Sequence, residues 1–337
     1  MRYIFLILGL FFLQSANSQI KPEFFPEDIL HNAQDVICYC KPGLVAQSRA
    51  KGVSFTYGLV GSGNYIAEEP TTFTGVGSTL DKLSHIEFKL KIPVLIKERT
   101  KVLLSYKYFS EFYDFQQIGV DFSETFQTLN NNNLKSNQYG LILSHSLNEK
   151  NYLALQYKYA ANGNYTGWTD LDSRYAIHKL MGVYGFKKSE HFEWGIGLSF
   201  SKSFRRTNII PFLLYNRNFN EKWGLESLFP ANIFLRCNID PRTIALLGIE
   251  FSSRSFRLGV EDTPADPLDY AFNHSESLFS ISLERHLTSW IWWTLQAGYQ
   301  QNFSSDFESK SQVSPFFQAE PANGFFLRIG VFVSPDI

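Results

Sequence analysis

Residue types capable of hydrolytic or transfer chemistry are present in the chain, but their spacing does not suit it. Successive side chains of a strand point to opposite faces, so a histidine and a serine share a face when the order is His-x-Ser. That order does not occur. His145 stands between Ser144 and Ser146, with Asn151 nearby. In a strand both hydroxyls would point away from the imidazole, outside the hydrogen-bond reach that proton transfer needs. His274-Ser275-Glu276 reads as a loop edge and offers no better pair. Cys38-Tyr39-Cys40 is too tight for a zinc knuckle, and no histidine follows at ligand spacing. With Cys237 the cysteines number three, which builds no disulfide framework. No glycine-rich phosphate loop leads from a strand into a helix. The expectation is no catalytic, metal or cofactor-binding site.

The charged residues are spaced more tellingly. Glu87, Lys89 and Lys91 alternate with Ile86, Phe88, Leu90 and Ile92; Lys101 and Lys107 alternate with Val102, Leu104, Tyr106 and Tyr108. Glu226, Arg236, Glu250, Arg257, Glu284 and Arg328 sit in similar patterns. Charge opposite an apolar row is what a strand carries when one face is greasy and the other wet. The last strand has the same design: Phe325, Leu327, Ile329, Val331 and Val333 form one apolar row, with Arg328 on the other face.

The first residues set the compartment. Met1-Arg2, an apolar run to Leu13 and small residues at Ala16 and Ser18 fit a signal peptide over 1–18, cut after Ser18. The remaining chain has 30 basic and 32 acidic residues, a near-balance that argues against nucleic acid. Aromatics make up 16% and charged residues only 19%. That is aromatic-rich and charge-poor, yet no later run is long enough for a spanning helix. Residues 19–49 carry Pro22, Pro26 and Pro42 without a sustained period, and read as a periplasmic lead-in or plug.

From residue 50 to 337 alternation recurs. Phe192, Trp194, Ile196, Leu198 and Phe200 oppose Glu193, Gly195, Gly197, Ser199 and Ser201. Residues 223–235 read as one long strand. Around Ser252 to Ser255 the phase flips, since Leu247, Ile249 and Phe251 are odd and Phe256 and Leu258 even. A tight turn there gives 14 strands; with a bulge an even count requires another boundary to be wrong, and 12 follows. Short turns fall near 97–99, 148–150, 187–190 and 219–222, and long loops alternate with them. The Asn130 to Asn133 stretch reads as a loop too polar to be packed. Tyr106, Tyr108, Tyr157, Tyr159, Trp290, Trp292 and Trp293 fall near strand ends, as interfacial girdles do.

The expected fold is all-β, a transmembrane antiparallel up-and-down barrel. In hydrocarbon only a helix or a closed sheet pairs every backbone group. The apolar rows then face lipid and the eleven charges above face the lumen. Charges of both signs there either line a water-filled path or pair across the lumen and close it. The function expected is a channel or transporter for small solutes or hydrophobic compounds, the alternative a closed structural barrel.

The signal peptide, the aromatic-rich strands and the C-terminal strand together resemble the outer-membrane β-barrels of Gram-negative bacteria. More narrowly, residues 223–236 read W-G-L-E-S-L-F-P-A-N-I-F-L-R. That stretch resembles a motif of an uncharacterised family of such barrels, a domain of unknown function. The resemblance implies an outer-membrane location, in contact with outer-membrane lipid, and brings no reaction with it. Arg328-x-Gly330 followed by Val331 and Val333 resembles the signal read by the barrel-assembly machinery, although Pro335-Asp336-Ile337 stand where an aromatic usually closes the chain.

Overall fold

A computed structural model of the chain describes residues 43, 44, 46–61, 63–68, 78–119, 123–167, 173–204, 207–260, 268–288, 290–309, 317–320 and 323–334. The expected signal peptide, Cys38 and Cys40 lie outside these residues. Sixteen strands follow in chain order: β1 (Val53–Val60), β2 (Gly63–Glu68), β3 (Ser78–Ile96), β4 (Thr100–Gln117), β5 (Leu134–Ser146), β6 (Asn151–Gly163), β7 (Ala176–Ser189), β8 (Phe192–Lys202), β9 (Thr207–Asn218), β10 (Trp223–Phe229), β11 (Asn232–Asp240), β12 (Thr243–Val260), β13 (Leu268–Thr288), β14 (Ile291–Ser309), β15 (Phe317–Glu320) and β16 (Gly324–Val333). Among the described residues one α-helix, α1 (Ser123–Asn131), lies between β4 and β5. β1 pairs with both β16 and β3, which closes a barrel of 14 antiparallel strands. β2 and β15 pair with each other as a short extension between β3 and β14.

Alternation explains the wall. Along β16 the odd residues Phe325, Leu327, Ile329, Val331 and Val333 are all exposed, while Phe326 and Phe332 are buried. Ile92, Val94, Leu104, Ile196, Leu198, Leu247 and Ile281 are exposed in the same manner. A continuous apolar exterior of this kind is stable only against lipid. Among the described residues no helix is long and apolar enough to cross a membrane. Val53 pairs with Val333 at the rim where both ends of the barrel chain lie, and bacterial barrels place that rim in the periplasm.

Two corrections concern the strand count, and they cancel. Residues 223–235 form parts of two strands, β10 and β11, joined at Pro230-Ala231. Ser252 to Ser255 is no turn but the middle of β12, whose register with β13 runs unbroken from Thr243 to Val260. The backbone keeps its phase there and the environment changes. Below Glu250 the odd residues face lipid. Above it β11 ends, and the even residues Phe256 and Leu258 are wholly buried inside the barrel.

The outer part of β12 then crosses to β6, although five strands separate them in the wall. Arg257 pairs with Gly163, and a Cβ on Gly163 would lie 2.6 Å from the Arg257 carbonyl oxygen, so this approach requires glycine. Asn162 Nδ2 donates to the Ser255 carbonyl (2.9 Å) and Asn164 Nδ2 to the Gly259 carbonyl (2.8 Å). Beside this seam, burial pushes the Tyr165 phenol up to about 12. Its hydroxyl accepts from Asn137 Nδ2 at 2.7 Å. β8 to β11 have 7–12 residues against 18–21 for β3, β4, β12, β13 and β14, so the outer rim is low on one side.

The outer half of the lumen is filled. Phe109, Tyr113 and Phe115 of β4, Phe126 and Leu129 of α1, Phe256 and Leu258 of β12, Phe272 of β13, Phe307 of β14 and Phe326 of β16 belong to one buried cluster. Phe272 stacks on Phe307 at 4.6 Å, and Phe115 meets Phe126 edge-on at 5.5 Å. Fully burying each such side chain contributes about 1.5–3 kcal/mol. The Asn-rich stretch expected to be unpacked is the end of α1. Its asparagines serve the sheet: Asn130 Oδ1 accepts from the Phe115 amide (2.9 Å), and Asn133 Nδ2 donates to Ser110 Oγ (2.6 Å). Trp292 also departs from expectation. It is buried inside against Phe332, while Trp290 is exposed.

Candidate functional site

Below the apolar septum the barrel encloses a cavity of about 570 Å³. Glu87, Lys89, Lys107, Glu226, Glu250, Glu284 and Arg328 line it. Lys91 and Lys101 lie on the inner faces of β3 and β4, nearer the periplasmic rim. Arg236 is completely buried in the wall. Arg257 is a correction. It is an odd residue of β12, whose odd face points away from the lumen along the whole strand, here towards Tyr175 and the Arg174 carbonyl.

Three of the ion-pair groups among the described residues organise the interior. Glu87 is held between Lys89 and Lys107, 2.5 Å from each ammonium. Arg254 bridges the lumen, with Nη1 3.0 Å from Glu111 of β4 and Nη2 2.6 Å from Glu276 of β13. Its guanidinium also lies over the Phe109 ring at 4.9 Å. Both carboxylates are buried, so this strut is a desolvated bridge at the floor of the septum. Arg328 and Glu250 approach more loosely, at 3.9 Å.

The third group sits in the hairpin that resembles the family motif. Arg236 Nε donates to Glu226 Oε1 at 2.9 Å, and Nη2 donates to Asn218 Oδ1 at 2.6 Å. A Cβ on Gly224 would meet Arg236 Nη2 at 2.3 Å, so the glycine leaves room for the guanidinium. The motif's glycine, glutamate and arginine are thus one packed unit, with Pro230-Ala231 as its turn.

That unit receives the lead-in. The Ser48 amide donates to Glu226 Oε1 (2.8 Å), and Ser48 Oγ donates to Glu226 Oε2. The Gly43 amide donates to Glu193 Oε2 (2.9 Å), and Lys51 Nζ lies 2.6 Å from Glu284. Arg49 stacks over Trp292 at 5.2 Å. The described residues from Gly43 to Lys51 are therefore a strap inside the barrel, anchored on carboxylates of β8, β10 and β13. Ser48, Arg49 and Lys51 are themselves cavity walls.

Arg254, Glu111, Lys158 and Lys179 were not singled out in the sequence, and Glu276 was read only as part of a loop edge. Reading Ser252 to Ser255 as a turn concealed Arg254. The signal that finds it is the unbroken even series Leu246, Gly248, Glu250, Ser252, Arg254, Phe256. Histidine and serine do meet. His274 Nδ1 is 2.9 Å from Ser305 Oγ, and His274 Nε2 is 3.2 Å from Glu276 Oε2. Ser305 is only 1% exposed, in line with Phe307, so a substrate carbonyl has no approach to it. His145 pairs instead with Thr100 Oγ1, at 2.8 Å. Among the described residues no group of His, Cys, Asp and Glu could hold a metal ion. Cys237 is a free thiol on the same face of β11 as Ile233 and Leu235.

A family model described as "Domain of unknown function (DUF6268)" matches residues 44–336. No curated protein matches the chain. Among solved structures, the COG4313 outer membrane channel from Pseudomonas putida F1 is 12% identical, with 90% of this chain and 100% of that one covered and a TM-score of 0.39. A Pseudomonas aeruginosa FadL homologue is 10% identical over 84% and 89%, with a TM-score of 0.36. The translocator domain of the autotransporter NalP from Neisseria meningitidis is 10% identical over 86% and 90%, with a TM-score of 0.33. Matches this distant carry nothing about solute or activity.

Proposed function

The chain belongs to the DUF6268 family of outer-membrane β-barrels, and from its interior we propose that it is a gated channel for small water-soluble solutes. The observation that carries this reading is the charged cavity of about 570 Å³ held between a strap and a septum. A barrel built only for rigidity gains nothing from such a space, because empty or wet volume forfeits packing contacts. Water-filled space lined by both charge signs serves solutes that carry charge of their own. In this reading the chain is exported with its leader removed after Ser18, inserted by the barrel-assembly machinery and seated in outer-membrane lipid. The strap and the septum are its two closures.

A closed structural barrel is the second reading, favoured by the Arg254 strut and the aromatic septum. Single-channel recording in planar bilayers separates the two. The channel reading predicts rare openings in the wild-type protein and frequent ones in an Arg49→Ala/Lys51→Ala variant, which releases the strap from Trp292 and Glu284. Silence from both proteins, inserted and fully β by circular dichroism, would establish the structural reading.

A further inference from the structure

Four acids that line the cavity are engaged, while some cations of the lumen face are not. Glu87, Glu226, Glu276 and Glu284 each hold a cation or strap donor within hydrogen-bond distance. On the opposite wall, strand register lines up Lys91 of β3, Ser105 of β4, Gly140 of β5, Lys158 of β6 and Lys179 of β7 in one row. Inward alternation places all five on the lumen face. One register step outward lies Lys107, opposite Lys89 and Gln138.

Two lysine pairs therefore face each other directly across adjacent strands. Lys89 and Lys107 share Glu87, which neutralises the repulsion. Lys158 and Lys179 are paired in register with no carboxylate partner among the described residues, and Lys91 has none either. Like charges directly opposite each other destabilise a strand pair. The two residues between these lysines are small. A Cβ on Gly140 would meet Ser105 Oγ at 2.4 Å and Lys158 Cγ at 3.4 Å, so Lys158 lies along the glycine. Lys158 and Lys179, side by side on the lumen face, lack a counter-charge that a negatively charged guest supplies.

We propose that this row is a binding site for a small solute bearing oxyanion groups, a multivalent carboxylate or a phosphate. Its ammonium groups donate charge-assisted hydrogen bonds to the oxyanions, with Lys107 and Gln138 at its outer edge. The proposal deepens the channel reading and rests on it for the site's role, while the binding itself stands alone.

The test is equilibrium titration of the refolded full barrel in detergent with citrate and with inorganic phosphate, alongside single-channel records of the same preparation. Saturable binding of at least one anion is expected. Lys158→Gln/Lys179→Gln weakens it by about a hundredfold, as loss of two hydrogen bonds between charged groups requires. Lys150→Gln/Lys222→Gln, in two exposed turns, leaves it unchanged. The cavity variant unfolds at a temperature no lower than wild type, because it relieves repulsion. Citrate alone, phosphate alone or both would identify the oxyanion chemistry. Failure of both anions to bind, or equal binding by the cavity variant, overturns the site. A barrel that conducts yet binds neither keeps the channel and loses the site; one that binds yet stays silent does the reverse.

Discussion

Arg254 joins carboxylates that come from opposite sides of the barrel, Glu111 and Glu276, and both are buried. Deleting one partner of such a bridge strands the other charges without water, at a cost of about 3–5 kcal/mol. Arg254→Met is expected to lose that much stability in urea unfolding from lipid vesicles. Adding Glu111→Gln and Glu276→Gln should restore most of it, because no uncompensated carboxylate then remains. A triple variant as unstable as the single one would mean that Arg254 acts through packing on Phe109 and not through charge. The inner-face charges of β3 and β4 were legible in the sequence because an apolar row opposite them marked the lipid side. Arg254 was not legible, since its neighbours Phe256 and Leu258 are apolar on the inner face, where an apolar row was read as lipid contact.

At the scale of the element, β12 teaches why periodicity misled locally. A hydrophobic row reports burial from water, and both lipid and a packed septum provide it. Where a strand leaves one for the other, the row changes face with no bulge and no turn. Phe256→Ala opens a cavity in the septum and is expected to cost about 3–5 kcal/mol, read from the urea midpoint. A loss no larger than that of the lipid-facing Phe251→Ala would contradict the inversion. α1 escaped notice for a related reason. Asn130 and Asn133 look solvated in a sequence, but their side chains bond the sheet while Phe126 and Leu129 fill its centre.

For the whole molecule, the strand number could be read and the interior could not. Fourteen strands emerged because the unread hairpin at Pro230-Ala231 offset the turn wrongly placed at Ser252 to Ser255. How far the lumen is filled depends on contacts between strands distant in the wall, such as β6 with β12 and β4 with β12, which no local pattern encodes. The central claim is a wet, charged cavity beneath a dry septum. Thiol accessibility along β4 tests it most directly, in a Cys38→Ser/Cys40→Ser/Cys237→Ser background reconstituted in vesicles. A small water-soluble thiol reagent should modify Lys107→Cys, on the cavity wall, and leave Tyr113→Cys untouched from either side. Equal reaction at both positions would show an open pore with no septum, and no reaction at either would show a barrel with no cavity.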